Sequence, residues 1–131
     1  MAYSIGEVSK KLNLATSTLR YYDKEGLLPF VGRNASGIRL FNDEDLKLLH
    51  IIECLKNTGM PIKDIKVFID WCSEGDTTLE ERYNMFIERK KVVEEQMASL
   101  QKTLDTITYK CGYYKTALEH GTEKIHTEQK D

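Results

Sequence analysis

The stretch "TSTLRYYDKEGLLPF", residues 16–30, predicts a short helix that starts with three hydroxyl residues able to cap it and stops at the following glycine. On that helix, Leu19 and Tyr22 are spaced to face the interior. Arg20 and Tyr21 stand beside them, where a packed core would favour aliphatic side chains. We therefore expect the Arg20 face of this helix to contact a ligand rather than to pack.

The residues before this stretch predict another short helix. Ser4 and Glu7 have the spacing of a capping box, and the apolar positions that follow recur on one helical face as far as Leu12. Asn13 ends the helix. Two short helices separated by a tight turn are typical of a helix-turn-helix.

A small wing is predicted after the two helices. Pro29 blocks further helix, and "FVGRNASGIRLF" reads as two strands, residues 30–33 and 38–41, joined by a tip at residues 34–37. This pattern of strand, turn and strand predicts a β-hairpin next to the helix-turn-helix.

Two further helices follow the hairpin. Asn42 and Asp45 mark the start of the first, whose apolar stripe continues until Gly59. The second begins at Pro61, runs to Cys72 and is broken by the polar sequence "SEGD". We interpret this pair as a connector.

The segment from Thr78 to about Glu119 has no proline and carries a heptad repeat. Ten of its eleven a and d positions are apolar or aromatic, and Lys90 is the exception. A helix of about 40 residues would be roughly 60 Å long. One small chain cannot cover such a stripe, so we expect a coiled coil with a second copy. Its expected interface residues are Phe86, Val93, Met97, Leu100, Leu104, Ile107 and Cys111.

Charge is unevenly distributed along the chain. The formal net charge is −2, but residues 1–42 carry six basic and three acidic side chains, a net +3, which leaves −5 for the rest. A basic first segment on an acidic body is typical of a protein that meets a polyanion at one end.

Composition also indicates the compartment. No apolar run approaches the roughly 18 residues that a membrane span requires, and the first residues lack the apolar core of a secretory signal. We therefore expect a cytoplasmic protein without membrane contact. The three cysteines are unevenly spaced, which indicates reduced thiols rather than a disulfide framework.

The basic first segment has the chemistry of a helix for the major groove and a hairpin for the minor groove. Short polar side chains near the start of such a helix can reach base edges, and cationic or phenolic ones along its side can hold phosphates. The thin, basic hairpin lies beside the same helix. We therefore predict double-stranded DNA as the partner. The expected contacts are Ser17, Thr18, Arg20, Tyr21 and Lys24 on the helix, and Arg33, Asn34, Gly37 and Arg39 on the wing.

The sequence "SIGEVSKKLNLATSTLRYYDKEGLLPFVGRNASGIRLFNDEDLKLLHII" resembles the DNA-binding head of the MerR family of transcription regulators, most specifically in "TLRYYDKEGLL" and "SGIRLF". The resemblance implies a mainly α fold. Its parts would be a winged helix-turn-helix head at 1–42, connector helices at 43–75, an antiparallel coiled-coil dimerisation helix at 76–120 and a polar, frayed tail at 121–131.

The same resemblance implies a mechanism. Such regulators bind a palindromic promoter as homodimers, and an effector makes the bound dimer bend and untwist the DNA so that RNA polymerase can engage. Lys56 is then expected to hold a phosphate near the dyad. We expect neither a cofactor nor enzymatic activity, since the sequence has no nucleophile–base–acid set, metal-ligand cluster or glycine-rich phosphate loop.

A candidate sensing site lies on the first connector helix. Cys54 follows His50 by four residues and Lys47 by seven, which puts the three on one helical face, and a neighbouring cation favours the reactive thiolate. "IIECLKNTGM" and "FIDWCSEGDTTLEER" also resemble the branch of the family that responds to aldehyde and thiol stress. We expect sensing through Cys54. The resemblance also implies that there is no metal site, because metal sensors of this family use a cysteine at the start of the long helix and a cysteine pair at its far end. Here the long helix starts without a cysteine, and Cys111 stands alone near its end.

Other interpretations remain open. Cys54 can be a plain packing residue. With the same fold, a cavity lined by Trp71, Tyr83 and Phe86 can bind a small apolar or cationic ligand without cysteine chemistry. The chain can also be a coiled-coil adaptor that never binds nucleic acid, which steep salt dependence of duplex binding would reject.

Overall fold

A computed structural model describes residues 1–128, which form a first compact unit, Met1–Arg89, and a second that begins at Lys90. The elements are α1 Ile5–Leu12, α2 Thr16–Lys24, β1 Gly32–Arg33, β2 Arg39–Leu40, α3 Asp43–Asn57, α4 Ile62–Glu74, a 3-10 turn at Asp76–Thr78, α5 Leu79–His120 and α6 Ile125–Glu128. This mainly helical fold, with a small two-stranded wing and a long C-terminal helix, confirms the predicted fold class.

Helix α1 has the capping box that its sequence predicts. The Glu7 amide donates to Ser4 Oγ at 3.2 Å, and the Ser4 amide donates to Glu7 Oε1 at 3.0 Å. The hydrogen bond from the Ser4 amide, followed by the Ser4 hydroxyl, holds the pKa of the Glu7 carboxyl below its usual range. Asn13 adopts the left-handed conformation, with φ of 54°, and ends the helix as expected.

The predicted hydroxyl cap of α2 is wrong. The cap residue is Ala15, whose side chain offers no hydrogen bond, and Thr16 is already inside the helix. The helix therefore starts early enough to put its hydroxyl residues on its own first turn. It ends before Gly26, where φ is +80° and an added Cβ would lie 2.9 Å from Lys66 Cε.

The wing is a hairpin with shorter strands than predicted. Its antiparallel register pairs Gly32 with Leu40 and Arg33 with Arg39. The first strand starts late because the Val31 amide donates to Leu28 O in a turn. The second also starts late, since the Ile38 amide turns to the side-chain oxygen of Asn34. At the tip, Gly37 has a φ of +78°, a conformation that glycine adopts without strain.

Head and connector share one hydrophobic core. Helix α3 begins with a second capping box, in which the Asp45 amide donates to Asn42 Oδ1 at 2.8 Å. Full burial of one large aliphatic side chain contributes about 1.5–3 kcal/mol, so a shared core fixes the helices firmly. Its largest fully buried side chains are Val8, Leu19, Tyr22, Leu27, Leu28, Phe41, Leu49, Ile52, Ile65 and Ile69.

The segment after α5 differs from the frayed tail that was expected. His126 on α6 stacks on the Tyr113 ring with 3.8 Å between centroids, and its Nε2 lies 2.8 Å from Tyr113 O. These contacts hold the short helix against the end of α5. Residues 129–131 of the predicted tail lie outside the described residues. Within residues 1–128, no helix is long and apolar enough to cross a bilayer.

Candidate nucleic-acid interface

Helix α2 presents one buried and one exposed face. Leu19 and Tyr22 are fully buried, as predicted, and they anchor the helix in the core. The opposite face is polar and basic, and Tyr21 keeps 48% of its surface exposed there. The exposed side chains are Ser17, Arg20, Tyr21 and Lys24, with Thr18 half-buried among them.

The wing brings further polar groups close to α2. Arg33 Nη1 donates to Gly37 O at 2.7 Å, which folds the arginine back along the hairpin tip. Arg33 Nη2 lies 3.8 Å from the Asp23 carboxylate at the end of α2, and the Arg33 side chain remains 52% exposed. Asn34 is exposed at the tip and accepts the amide hydrogens of Ser36 and Ile38.

Arg39 occupies a different position from the other predicted contacts. Its Nε and Nη2 donate to the two Asp23 carboxylate oxygens at 3.2 and 2.6 Å, and its Nη1 donates to Val31 O. Only 21% of the side chain is exposed. Because each of these nitrogens has a partner inside the protein, Arg39 is less available to a phosphate than Arg33.

Lys56 lies beside α2 although it belongs to α3. Its Nζ sits 5.4 Å from the centre of the Tyr22 ring, within the range of a cation–π contact. The Tyr22 hydroxyl in turn donates to Glu53 Oε1 at 2.6 Å. Burial, together with the Glu53 carboxylate, raises the pKa of Tyr22 above its usual value. The phenol is therefore a neutral donor that joins the two helices.

Sequence reasoning missed the two carboxylates that organise this surface. Asp23 receives Arg39 from 16 residues away, and Glu53 receives Tyr22 from 31 residues away. The sequence signal for either pair is only the complementary chemistry of the two side chains. No periodicity in the sequence joins them.

Two of the three residues predicted to form the sensing site lie close together in the structure. Cys54 Sγ lies 3.7 Å from His50 Nε2, and both residues are exposed. Lys47, expected to supply a nearby cation, instead pairs with Glu44 at 3.0 Å. Cys72 is half-buried, and burial raises the pKa of its thiol, an effect that the nearby Arg82 partly opposes.

The cavity proposed from Trp71, Tyr83 and Phe86 does not form. Trp71 lines a pocket of about 250 Å³ that neither of the other two residues borders. Phe86 meets Phe68 edge to face, with 5.4 Å between ring centroids, while Tyr83 is 65% exposed. Among residues 1–128, no three His, Cys, Asp or Glu side chains are grouped closely enough to hold a metal ion.

The heptad positions of the second unit are largely uncovered. Val93 is half-buried, whereas the positions after it are exposed. Successive apolar side chains therefore leave a continuous stripe along this part of α5. Those with more than half of their surface exposed are Met97, Leu100, Leu104, Ile107 and Leu118, and Cys111 is exposed between the last two.

Comparison with known protein families decides the assignment. The MerR HTH regulatory protein family matches residues 3–70, and a second model, MerR DNA binding, matches residues 46–109. The chain belongs to the MerR family. It is thus a DNA-binding transcriptional regulator rather than an enzyme, as the sequence predicted, and the adaptor interpretation is wrong.

Individual relatives agree with this assignment. An HTH-type transcriptional regulator of Haemophilus influenzae is 45% identical over 124 residues, which cover 95% of this chain and 92% of the relative. The regulator AdhR of Bacillus subtilis is 39% identical over 92 residues, or 70% of this chain and 66% of AdhR. A crystal structure of HiNmlR, described as a MerR family regulator lacking the sensor domain and bound to promoter DNA, is 45% identical with a TM-score of 0.88. The match covers 95% of this MerR regulator and 99% of HiNmlR.

Proposed function

We propose that this MerR regulator binds a palindromic promoter as a homodimer and activates transcription by effector-dependent distortion of the DNA. RNA polymerase would then be engaged through the altered DNA. The observation that carries the proposal is the exposed polar and basic face of α2 with the basic wing beside it. A buried face anchored in the core holds this surface rigidly, which is what sequence reading requires.

The DNA contacts divide into two kinds. Ser17 and Thr18 are short side chains on the first turn of α2, where a helix in the major groove comes closest to base edges. Arg20, Tyr21 and Lys24 are the flanking groups for phosphates and for guanine. The further contacts proposed are Arg33, Asn34 and Gly37 on the wing and Lys56 on α3. Arg39, the other wing contact predicted from the sequence, is bound to Asp23 and is the least available to DNA.

The uncovered apolar stripe on α5 supports the proposed homodimer. Exposed apolar patches of this continuity mark interfaces in proteins that are stable in water. A second copy of the same helix offers a matching stripe, and an antiparallel pairing would hold two heads at a fixed separation. HiNmlR, whose chain is matched almost completely, is described as bound to promoter DNA.

For the effector, we propose an electrophile that reacts at Cys54. The Cys54 sulfur would add to the carbonyl carbon of an aldehyde, the thiol proton passing to the carbonyl oxygen to give a hemithioacetal. His50, at 3.7 Å, can accept and return that proton. Cys54 is exposed, so a small electrophile can reach its sulfur directly from solvent.

The DNA-binding proposal is tested by fluorescence anisotropy with an inverted-repeat duplex from the promoter region of its own gene. Binding should weaken steeply with salt, since each neutralised phosphate contributes a slope of about −0.9 in log affinity against log salt. A scrambled duplex is the matched control. Equal affinity for both duplexes would contradict sequence-specific binding.

The sensing proposal is tested separately with Cys54→Ser. Promoter activity with an aldehyde should rise in the wild type and in Cys72→Ala, but not in Cys54→Ser. Intact-mass spectrometry should find an aldehyde adduct on the wild type and on Cys72→Ala, but not on Cys54→Ser. Unchanged induction in Cys54→Ser would remove the thiol mechanism and leave the DNA-binding proposal untouched.

A further inference from the structure

Asp23 is an unusual residue for the surface on which it lies. It belongs to the last turn of α2, close to Tyr21 and Lys24, which are proposed to hold phosphates. A carboxylate at such a surface repels the DNA backbone. The Asp23 side chain, which is 28% exposed, nevertheless lies close to two arginines of the wing. Its Oδ1 is 2.6 Å from Arg39 Nη2, and its Oδ2 is 3.8 Å from Arg33 Nη2.

The two arginines differ in how they contact Asp23. Arg39 makes a two-point contact with both carboxylate oxygens, the strongest geometry for this pair of groups. Arg33 approaches one oxygen more loosely and is 52% exposed. Arg39 is therefore held in place by Asp23, while Arg33 is bound to Asp23 less firmly and keeps about half of its side chain open to a phosphate.

The guanidinium of Arg39 joins three parts of the head. Arg39 belongs to β2, and its guanidinium donates hydrogen bonds to Val31 O just before β1 and to the Asp23 carboxylate on α2. The wing needs such a connection because each of its strands has only two residues. An isolated two-stranded hairpin is marginally stable at best in water, so its direction must be set from outside.

We propose that Asp23 positions the wing on α2, and that Arg39 serves as the clasp between them rather than as a phosphate contact. The inference rests on the proposed DNA interface and assigns to its wing a fixed angle relative to the reading helix. The Asp23 carboxylate strengthens DNA binding because it fixes the position of the wing, even though its negative charge repels the DNA backbone.

The test is the sign of the effect of Asp23→Asn on duplex binding. If charge alone mattered, removing a carboxylate beside phosphates would tighten binding. The clasp predicts weaker binding, by about tenfold for a lost charge-assisted contact that holds the wing. Glu25→Gln is the matched control, because it removes an equal charge from an exposed residue two positions further on. It should bind as tightly as the wild type, or slightly more tightly.

A second variant, Arg39→Gln, separates the clasp from a phosphate contact. If Arg39 is the clasp, the double variant with Asp23→Asn should bind no more weakly than either single variant. The salt slope should fall equally in the two single variants and in the double variant, because each of them loses the same wing contact with phosphate, that of Arg33. If Arg39 instead holds a phosphate, the two losses add, and the salt slope falls by about 0.9 for each lost contact.

Footprinting supplies a readout that a general loss of stability would not move. In both variants, protection of the minor groove under the wing should disappear while protection of the major groove under α2 remains. Circular dichroism identifies variants that keep the wild-type helix content, and the comparison is made on those. Wild-type affinity and footprint in Asp23→Asn would overturn the inference. Absence of binding by the wild type itself would instead overturn the proposed DNA interface.

Discussion

The Tyr22 hydroxyl donates a 2.6 Å hydrogen bond to Glu53 and so ties α2 to α3 from within the core. Tyr22→Phe keeps the buried ring and its contact with Lys56 but removes this bond. We expect a loss of about 1.5–3 kcal/mol in the free energy of unfolding, the usual net contribution of a hydrogen bond to a charged group. Urea denaturation followed by circular dichroism measures it.

The control for this substitution is Tyr21→Phe on the exposed face of the same helix. It should leave the urea midpoint unchanged but weaken binding to the palindromic duplex, because the Tyr21 hydroxyl is proposed to face the DNA backbone. A lower urea midpoint for Tyr21→Phe than for Tyr22→Phe would contradict the orientation of α2.

Tyr22 also predicts a dependence of stability on alkaline pH. Burial raises its pKa above the usual value, so the fold favours the neutral phenol. This contribution is fully present below the ordinary tyrosine pKa of about 10, and it is lost as pH rises from there towards the raised pKa of the folded state. Above a pH of about 10, the urea midpoint should fall more steeply with rising pH for the wild type than for Tyr22→Phe. Parallel declines would contradict a neutral buried donor.

The capping box of α1 predicts the effect of Ser4→Ala. Loss of the cap should cost about 1 kcal/mol, while Ser99→Ala on the exposed surface of α5 should cost nothing. Because the bonds from Ser4 lower the pKa of Glu7, their contribution is present above the ordinary glutamate pKa and is lost as pH falls through the lower folded value. The gap between wild type and Ser4→Ala should therefore narrow in acid. A gap that is constant with pH would argue against the Glu7 half of the box.

The three cysteines should react with iodoacetamide at different rates. Cys54 is exposed beside His50, whereas Cys72 is half-buried with a raised pKa, and each pKa unit lowers the thiolate fraction about tenfold. Peptide mass spectrometry over time should find Cys54 modified first and Cys72 last. His50→Ala should slow the reaction at Cys54 and leave Cys72 unaffected. Equal rates at the two cysteines would contradict the assignment of Cys54 as the sensor.

Features encoded by neighbouring residues were predictable from the sequence. Both capping boxes, Ser4 with Glu7 and Asn42 with Asp45, depend on a three-residue spacing and formed as expected. The cap of α2 was not predictable, because consecutive hydroxyl residues offered several equivalent cap positions and none of them is the cap. Ala15 holds that position instead.

Contacts between residues far apart in the chain could not be predicted from the sequence patterns. The clasp between Asp23 and Arg39 depends on the angle at which the wing returns to α2, which tertiary packing sets. The same reason explains why Trp71, Tyr83 and Phe86 do not line one cavity. Phe86 turns to Phe68 on α4, and the heptad pattern carries no information about that choice.

Sedimentation equilibrium shows whether two heads are joined through α5, as the proposed DNA-binding homodimer requires. At micromolar concentration the protein should have twice the chain mass of 15.2 kDa, and two chains should bind each inverted-repeat duplex. Leu100→Asp, in the exposed stripe, should give the mass of one chain and lose the two-to-one complex. A wild type that sediments as a single chain, or one chain bound per duplex, would contradict the account.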